Sequence, residues 1–263
     1  NPNALIAAGN IYQQGSAKKV EGGVILSGLW NFCSGIEISD WSFFAFMLDD
    51  NGVKDWHQCV LHKSEYEILN DWDTFGMKQT GSCSVKIDDL FVPEYKLQSF
   101  SVNRDDHTFK GIEHNSNLMY QIPTASIGGH GLAGCAIGGA QLCLDLLLEW
   151  IEKRSTSTSN MKMSDIPSIH NRLGEIASRI DAARLILRND CIEVERLMHE
   201  YEEVSTNNKL KYKRNAAYAV KIILESVSIM QQVCGANGIY NGSPITSALM
   251  AVSYTHLRAH ETK

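Results

Sequence analysis

Trp30, Phe32 and Ser34 stand at alternate positions, with Cys33 between the last two and Gly35 directly after. Two aromatic rings, a hydroxyl and a glycine packed so closely could form a flat apolar wall with a polar edge, as a pocket for a planar ligand requires. The backbone amides around Cys33 and Gly35 add possible donors. The same residues serve as well as β core closed by a tight turn, since pockets are few per protein. A second group, Thr80-Gly81-Ser82, offers two hydroxyls flanking a glycine that lets a ligand approach the backbone.

Other candidates are weaker. His256 and His260 are spaced i, i+4, which can present two ligands on one helix face, but no third ligand accompanies them and no metal is expected. The isolated His57, His62, His170 and His199 read as surface or hydrogen-bonded core residues. His130, in Gly129-His130-Gly131, has no evident chemical role.

The elements that must position these residues change character near residue 120. Before it, Val24-Ile25-Leu26 and Trp41 to Leu48 read as strands. Asp49-Asp50-Asn51-Gly52 is a turn signal, because Asn-Gly tolerates positive φ. Val85, Ile87 and Leu90 to Val92 form a further strand closed by Pro93, and the set predicts a small barrel or sandwich. From Ile122 the period is helical. Ile127 to Lys153 is apolar nearly all round, as for a helix buried among others. Ile169, Leu173, Ile176, Ile180, Ala183, Leu187, Cys191, Val194, Met198 and Tyr201 mark one stripe on a helix of about nine turns. Asp165 and Pro167 mark its start as cap and first-turn residues. Ala216, Val220, Ile223, Val227, Met230 and Cys234 repeat the pattern on a helix that Gly235 and Gly238 end. Three long helices make most of a bundle.

The bulk figures narrow the classes. The chain has 263 residues, 44% hydrophobic and 21% charged, with a net charge of −6. That balance disfavours nucleic acid, and the basic group from Lys209 to Arg214 reads as the solvated start of a helix. No stretch reads as apolar over the roughly 18 residues that a bilayer requires, so no membrane is expected. No signal peptide is visible. The seven cysteines, Cys33, Cys59, Cys83, Cys135, Cys143, Cys191 and Cys234, are odd in number, scattered and without a C-x-x-C pair, which favours a reducing cytoplasm.

Three segments carry a family likeness. Glu21 to Gly35 resembles the "GG-x-x-x-x-G-x-W-x-F-x-S-G" segment of flavin-dependent monooxygenases built on the acyl-CoA dehydrogenase fold, such as the two-component phenol hydroxylases and dibenzothiophene monooxygenases. Trp72 to Ser82 is similar to their "W-x-x-x-G-x-x-x-T-G-S" turn. Val85 to Pro93 follows it like their "V-x-V-D-D-x-F-V-P" strand, with Ile87 for the second Val. Cys234 to Pro244 resembles the loop after the third bundle helix. The likeness runs in order from about residue 3 to 251.

The resemblance implies an α+β multidomain fold. Residues 1–110 would form the flavin-binding middle β-barrel and 120–251 a truncated C-terminal helical bundle, the family's N-terminal helical domain being absent. It implies reduced flavin, FMNH2 or FADH2, delivered by a separate flavin reductase. Oxygen transfer would then pass through a C4a-(hydro)peroxyflavin to a small organic substrate, an aromatic one by the family's habit. Trp30 and Phe32 would wall the ring, Cys33, Ser34 and Gly35 would supply donors, and Thr80, Gly81 and Ser82 would contact ring or phosphate. A cytoplasmic homotetramer is implied as well. Many members continue past this point with "L-x-R-x-x-R-D" and a histidine near the flavin. Ile245 to Ala251 lacks both arginines, so no catalytic residue is assigned. Val252 to Thr262 resembles a translated sequencing adapter, and 252–263 is expected not to belong to the natural protein. An acyl-CoA dehydrogenase or related flavin oxidase, and a helical scaffold without flavin, are the alternative readings.

Overall fold

The computed structural model describes residues 3–50, 52–100, 114–115, 117–156, 159–200, 202–240 and 244–255. The chain divides into two compact units, Asn1–Ser116 and Asn117–Lys263, near the change of character seen in the sequence.

The first unit is a mixed sheet of eight strands. They are β1 (Ile6–Gly9), β2 (Gly15–Val20), β3 (Gly23–Trp30), β4 (Trp41–Asp50), β5 (Val53–His62), β6 (Glu67–Leu69), β7 (Ser84–Pro93) and β8 (Leu97–Ser99). Hydrogen bonding runs in the order β6-β7-β3-β2-β4-β5-β8, and β1 pairs with β4. Both β1 and β2 lie parallel to β4. The first takes Trp41 to Phe44 and the second Met47 to Asp49, with a 3-10 turn at Tyr12–Gln14 between them. The expected turn joins β4 to β5: Asp50 pairs with Val53, Gly52 has φ +85°, and its amide donates to Asp49 Oδ1 at 2.9 Å.

Alternation puts Val24, Leu26 and Trp30 of β3, Phe44 and Phe46 of β4, Cys59 and Leu61 of β5 and Val85 and Ile87 of β7 into one buried cluster. Trp30 is its largest member and is fully buried. Its Nε1 donates to the Ala45 carbonyl at 2.7 Å, and its ring lies 5.1 Å from that of Phe44. Three glycines clear space for the indole. A Cβ on Gly15 would stand 2.1 Å from Trp30 Cζ2, one on Gly28 2.7 Å from Cη2, and one on Gly9 3.1 Å from Cδ1.

The second unit holds helices α1 (Thr124–Glu152), α2 (Pro167–His199), α3 (Thr206–Cys234) and α4 (Pro244–Thr255). Ala140, Cys143 and Leu147 of α1 join Ile176, Ile180 and Ala183 of α2, Ala219, Ile223 and Met230 of α3, and Leu249 and Val252 of α4 in a common core. Pro167 occupies the first turn of α2, as expected, but Ile166 rather than Asp165 is its N-cap, and it makes no side-chain cap bond. Gly235, at φ +55°, ends α3. The helix α4 continues to Thr255 across the boundary expected at residue 252, and Val252 is buried.

Two expectations change. The all-round apolar α1 buries only a stripe, leaving Leu132, Leu142 and Leu148 exposed. By length and composition, Ser126–Glu152 is apolar enough to cross a bilayer, against the expectation that no stretch would be; 39% of its most apolar part is buried within the structure. On α2 the buried stripe runs Leu187, Asp190, Val194, Leu197, so Cys191 turns outward. Steps of three and four admitted either phase, and a carboxylate was the less apolar choice.

Asp190 has no exposed surface. His130 Nε2 of α1 lies 3.0 Å from its Oδ2, and Asn215 Nδ2 of α3 donates to Oδ1 at 2.8 Å. Asn215 Oδ1 in turn accepts from Arg214 Nη2 at 2.8 Å. The carboxylate therefore ties three helices together, which satisfies the requirement that a buried charge be partnered.

Two stability predictions follow from these contacts. Gly15→Ala forces the methyl into the Trp30 ring, and a loss of about 3 kcal/mol is expected in urea unfolding, at the upper end of overpacking costs. Asp190→Ala strands His130 and Asn215, and a loss of about 3–5 kcal/mol is expected. A change near that of an exposed surface substitution, within about 0.5 kcal/mol, would remove the structural role given to either residue.

Candidate functional site

The site grows from the end of β3. Trp30 is pinned in the core, so the chain that leaves it is fixed in position and direction. The Asn31 amide donates to Gln14 Oε1 at 2.9 Å, and its Oδ1 accepts from Ser84 Oγ at 3.2 Å. The next residue, Phe32, turns into the left-handed region with φ +65° and is 44% exposed. A bulky side chain there costs about 1–2 kcal/mol relative to the right-handed form. Strain of this kind in an exposed aromatic marks a candidate site.

The rest of the loop is locked by its own backbone. The Cys33 amide donates to the Cys83 carbonyl at 3.2 Å, Ser34 to Phe32 at 2.9 Å and Gly35 to Thr80 at 2.8 Å. Gly35, at φ +73°, has the open left-handed geometry that glycine tolerates without cost. Its carbonyl accepts from Ser39 Oγ at 2.8 Å.

The opposing loop, between β6 and β7, is organised by one carbonyl. Met77, itself at φ +55°, accepts from Trp72 Nε1 at 3.1 Å, from the Thr80 amide at 3.1 Å and from Thr80 Oγ1 at 2.9 Å. The Trp72 ring meets that of Phe32 edge-on, at 6.3 Å and 81°. Hydroxyls bridge the loops: Ser34 Oγ is 2.9 Å from Ser82 Oγ, which is 2.7 Å from Thr80 Oγ1. Phe75 stands largely exposed on the same loop, at 77%.

The sequence-derived site is thus partly assembled and partly corrected. Phe32, Ser34, Gly35, Thr80, Gly81 and Ser82 come together across two loops. Trp30 does not act as a wall, because it has no exposed surface; it holds the loop from beneath. Cys33 is likewise buried, and the amides of Cys33 and Gly35 are committed to carbonyls rather than free for a ligand. The space beside Gly81, at φ +49°, is taken by the carboxylate of Glu37, 2.7 Å from where a Cβ would lie. Trp72 and Met77 were not singled out as functional. Trp72 opens the second motif, but its pairing with Phe32 depends on the fold.

Two of the other histidines, His62 and His57, have structural partners. His62 caps a 3-10 turn, accepting from the Ser64 amide, while the Glu65 side chain accepts from the His62 amide at 2.7 Å. His57 sits beside Asp55, 3.5 Å away. Among the described residues no group of three or more His, Cys, Asp or Glu is placed to hold a metal ion. His256 and His260 lie outside the described residues.

Residues 130–248 match the family model described as acyl-CoA dehydrogenase, C-terminal domain. The oxygenase subunit HsaA of a flavin-dependent monooxygenase from Rhodococcus jostii is 27% identical over 233 residues, covering 88% of this chain and 61% of the relative. The oxygenase component of an FADH2-dependent resorcinol hydroxylase from a Rhizobium species is 27% identical over 258 residues, covering 94% of this chain and 63% of the relative. The chain therefore spans less than two thirds of these proteins. In structure, a 3-HSA hydroxylase from a Rhodococcus species superposes with a TM-score of 0.88 and 25% identity, over 97% of this chain and 68% of that one. The fold is acyl-CoA dehydrogenase-like, residues 130–248 of the helical unit match that family's C-terminal domain model, and the relatives described above are named as oxygenase components of flavin-dependent enzymes.

Proposed function

We propose that this chain forms the flavin-binding portion of a monooxygenase oxygenase component, which uses reduced flavin and O2 to hydroxylate a small aromatic substrate. The observation that carries this reading is the exposed, strained Phe32, buttressed by Trp72 and standing beside the hydroxyls of Ser34, Ser82 and Thr80. A flavin ring has apolar faces and a polar edge, and the donor set on these loops fits both: aromatic surface for a face, and an exposed hydroxyl for the edge. FMN and FAD share that ring, so the same residues serve either.

Bound reduced flavin supplies the two electrons that divide O2 between substrate and water. The chain's own residues do the rest of what this portion contributes. Phe32 covers apolar ring surface and keeps water from it. Trp72 holds the Phe32 ring at its edge. Ser34 contacts the polar margin and is itself held by Ser82. A separate reductase as the source of reduced flavin belongs to the same proposal, supported by relatives named as oxygenase components. So does assembly into a homotetramer, supported by Leu142, Leu185, Ile192 and Leu210, which the helical unit leaves exposed. The seven unbridged cysteines support a reducing compartment such as the cytoplasm.

The test is direct titration of the purified chain with reduced FMN or FAD under anaerobic conditions. Saturable binding is expected, and Phe32→Ala should weaken it about tenfold, the effect of losing part of an aromatic contact. A wild-type chain that binds neither reduced flavin would refute the proposal. Binding unaffected by Phe32→Ala would move the site elsewhere.

A further inference from the structure

A recess lies at the end of the sheet opposite the Phe32 loop. β3 begins beside it at Gly23 and runs away from it to Trp30, about 23 Å of extended strand. The β2–β3 turn, the β4–β5 turn and the stretch 94–99 surround a mouth of about 770 Å³. That volume suits a small organic ligand, and the open end of a β-barrel is a recurrent place for one. The chain wraps round this end. β8 pairs with β5 at His57, Gln58 and Cys59, and the Glu94 amide donates to the Gly22 carbonyl at 3.0 Å. Val24, Leu48 and Leu97 give the mouth apolar walls.

On β5 the inward positions change character here. Cys59 and Leu61 are buried core, but Asp55 and His57, which share their side of the strand, are polar. Their side chains keep 26% and 16% of their surface, so both are largely withdrawn from water yet reachable from the mouth. Ser99 Oγ donates to Asp55 Oδ2 at 2.7 Å, and His57 Nδ1 lies 3.5 Å from the same oxygen. The His57 ring stacks on the buried Phe46 at 6.1 Å and 26°. With the carboxylate in the middle, the serine has no base beside it, so the trio is built to present charge rather than to activate a nucleophile. Withdrawing polar groups into a sheet interior is costly, and such departures gather at functional sites. The balance of charge is negative. Among the described lining residues, Asp50, Asp55 and Glu94 stand against one lysine, Lys19, which is paired with Asp50 at 2.6 Å.

We propose that this mouth is a second binding site, for a small organic cation whose ammonium head lies against Asp55 and whose apolar body lies along Val24, Leu48 and Leu97. A carboxylate offers about four lone-pair sites, more than the Ser99 hydroxyl uses. Glu94 on the exposed rim adds attraction for the same charge. The site needs no flavin and stands whether or not the Phe32 loop binds one.

The probe is benzylamine, with benzyl alcohol and benzoate as its neutral and anionic counterparts, titrated by calorimetry into the flavin-free chain. Saturable binding of benzylamine is expected, at least about tenfold tighter than either counterpart, the worth of one charge-assisted hydrogen bond. Asp55→Asn should abolish that preference while leaving the weak binding of benzyl alcohol as it was. Glu94→Gln should weaken benzylamine about twofold to threefold, as the loss of a solvent-screened charge does. Should Asp55→Asn fail to fold, Glu94→Gln decides, because its side chain stands on the surface. No saturable binding of benzylamine, or equal affinity for all three probes, overturns the proposal. So does benzylamine binding that neither substitution changes.

Discussion

The seating of the Trp30 indole is the constraint on which the sheet and the site both depend. The ring fills a recess that exists only because Gly9, Gly15 and Gly28 have no side chains, and its Nε1 is satisfied by Ala45. These contacts come from four strands. A side chain fixed from so many directions has one pose, and the residues that follow inherit it. Asn31 is held on two sides, Phe32 is forced through the left-handed region, and Ser34 arrives within reach of Ser82. A core residue thereby sets the geometry of a surface loop, which is how a rigid scaffold gives a loop a definite chemistry.

The helical unit solves a different problem. Its core is mostly apolar, and into it is set Asp190, whose two carboxylate oxygens are met by His130 and Asn215. Apolar contacts between helices are forgiving of small rotations and slips, because dispersion and burial are non-directional. A fully buried carboxylate with one partner on each of two other helices is not forgiving. It fixes the mutual phase of α1, α2 and α3, in the sense that buried polar contacts can specify register at some expense of stability.

Much of this was legible in the residues. Strands and helices were readable because the alternation of Val85 and Ile87, and the stripe from Ile176 to Leu187, are long and regular. The turn at Gly52 and the end of α3 at Gly235 were readable because each needs a positive φ. What escaped depends on neighbours distant in sequence. Nothing near Trp30 says whether it faces a ligand or a core; the answer lies in glycines on β1, β2 and β3. Asp190 was passed over for Cys191 because periodicity ranks residues by apolarity, and its partners lie 60 and 25 positions away. The contacts among the Ser34, Ser82 and Thr80 hydroxyls needed both loops in place.

The conformation of Phe32 places this position under two opposed pressures. Glycine or asparagine would sit at φ +65° with little or no strain and relax the free chain. Either would also delete the aromatic surface that Trp72 supports. If Phe32 contacts flavin as proposed, drift that favours folding works against the site here, and selection for binding would be what keeps a phenyl ring in a conformation that the backbone resists. On the proposed reading, position 32 is in that sense a local gauge: a phenyl ring there goes with a site that binds its ligand, and a glycine with one that does not.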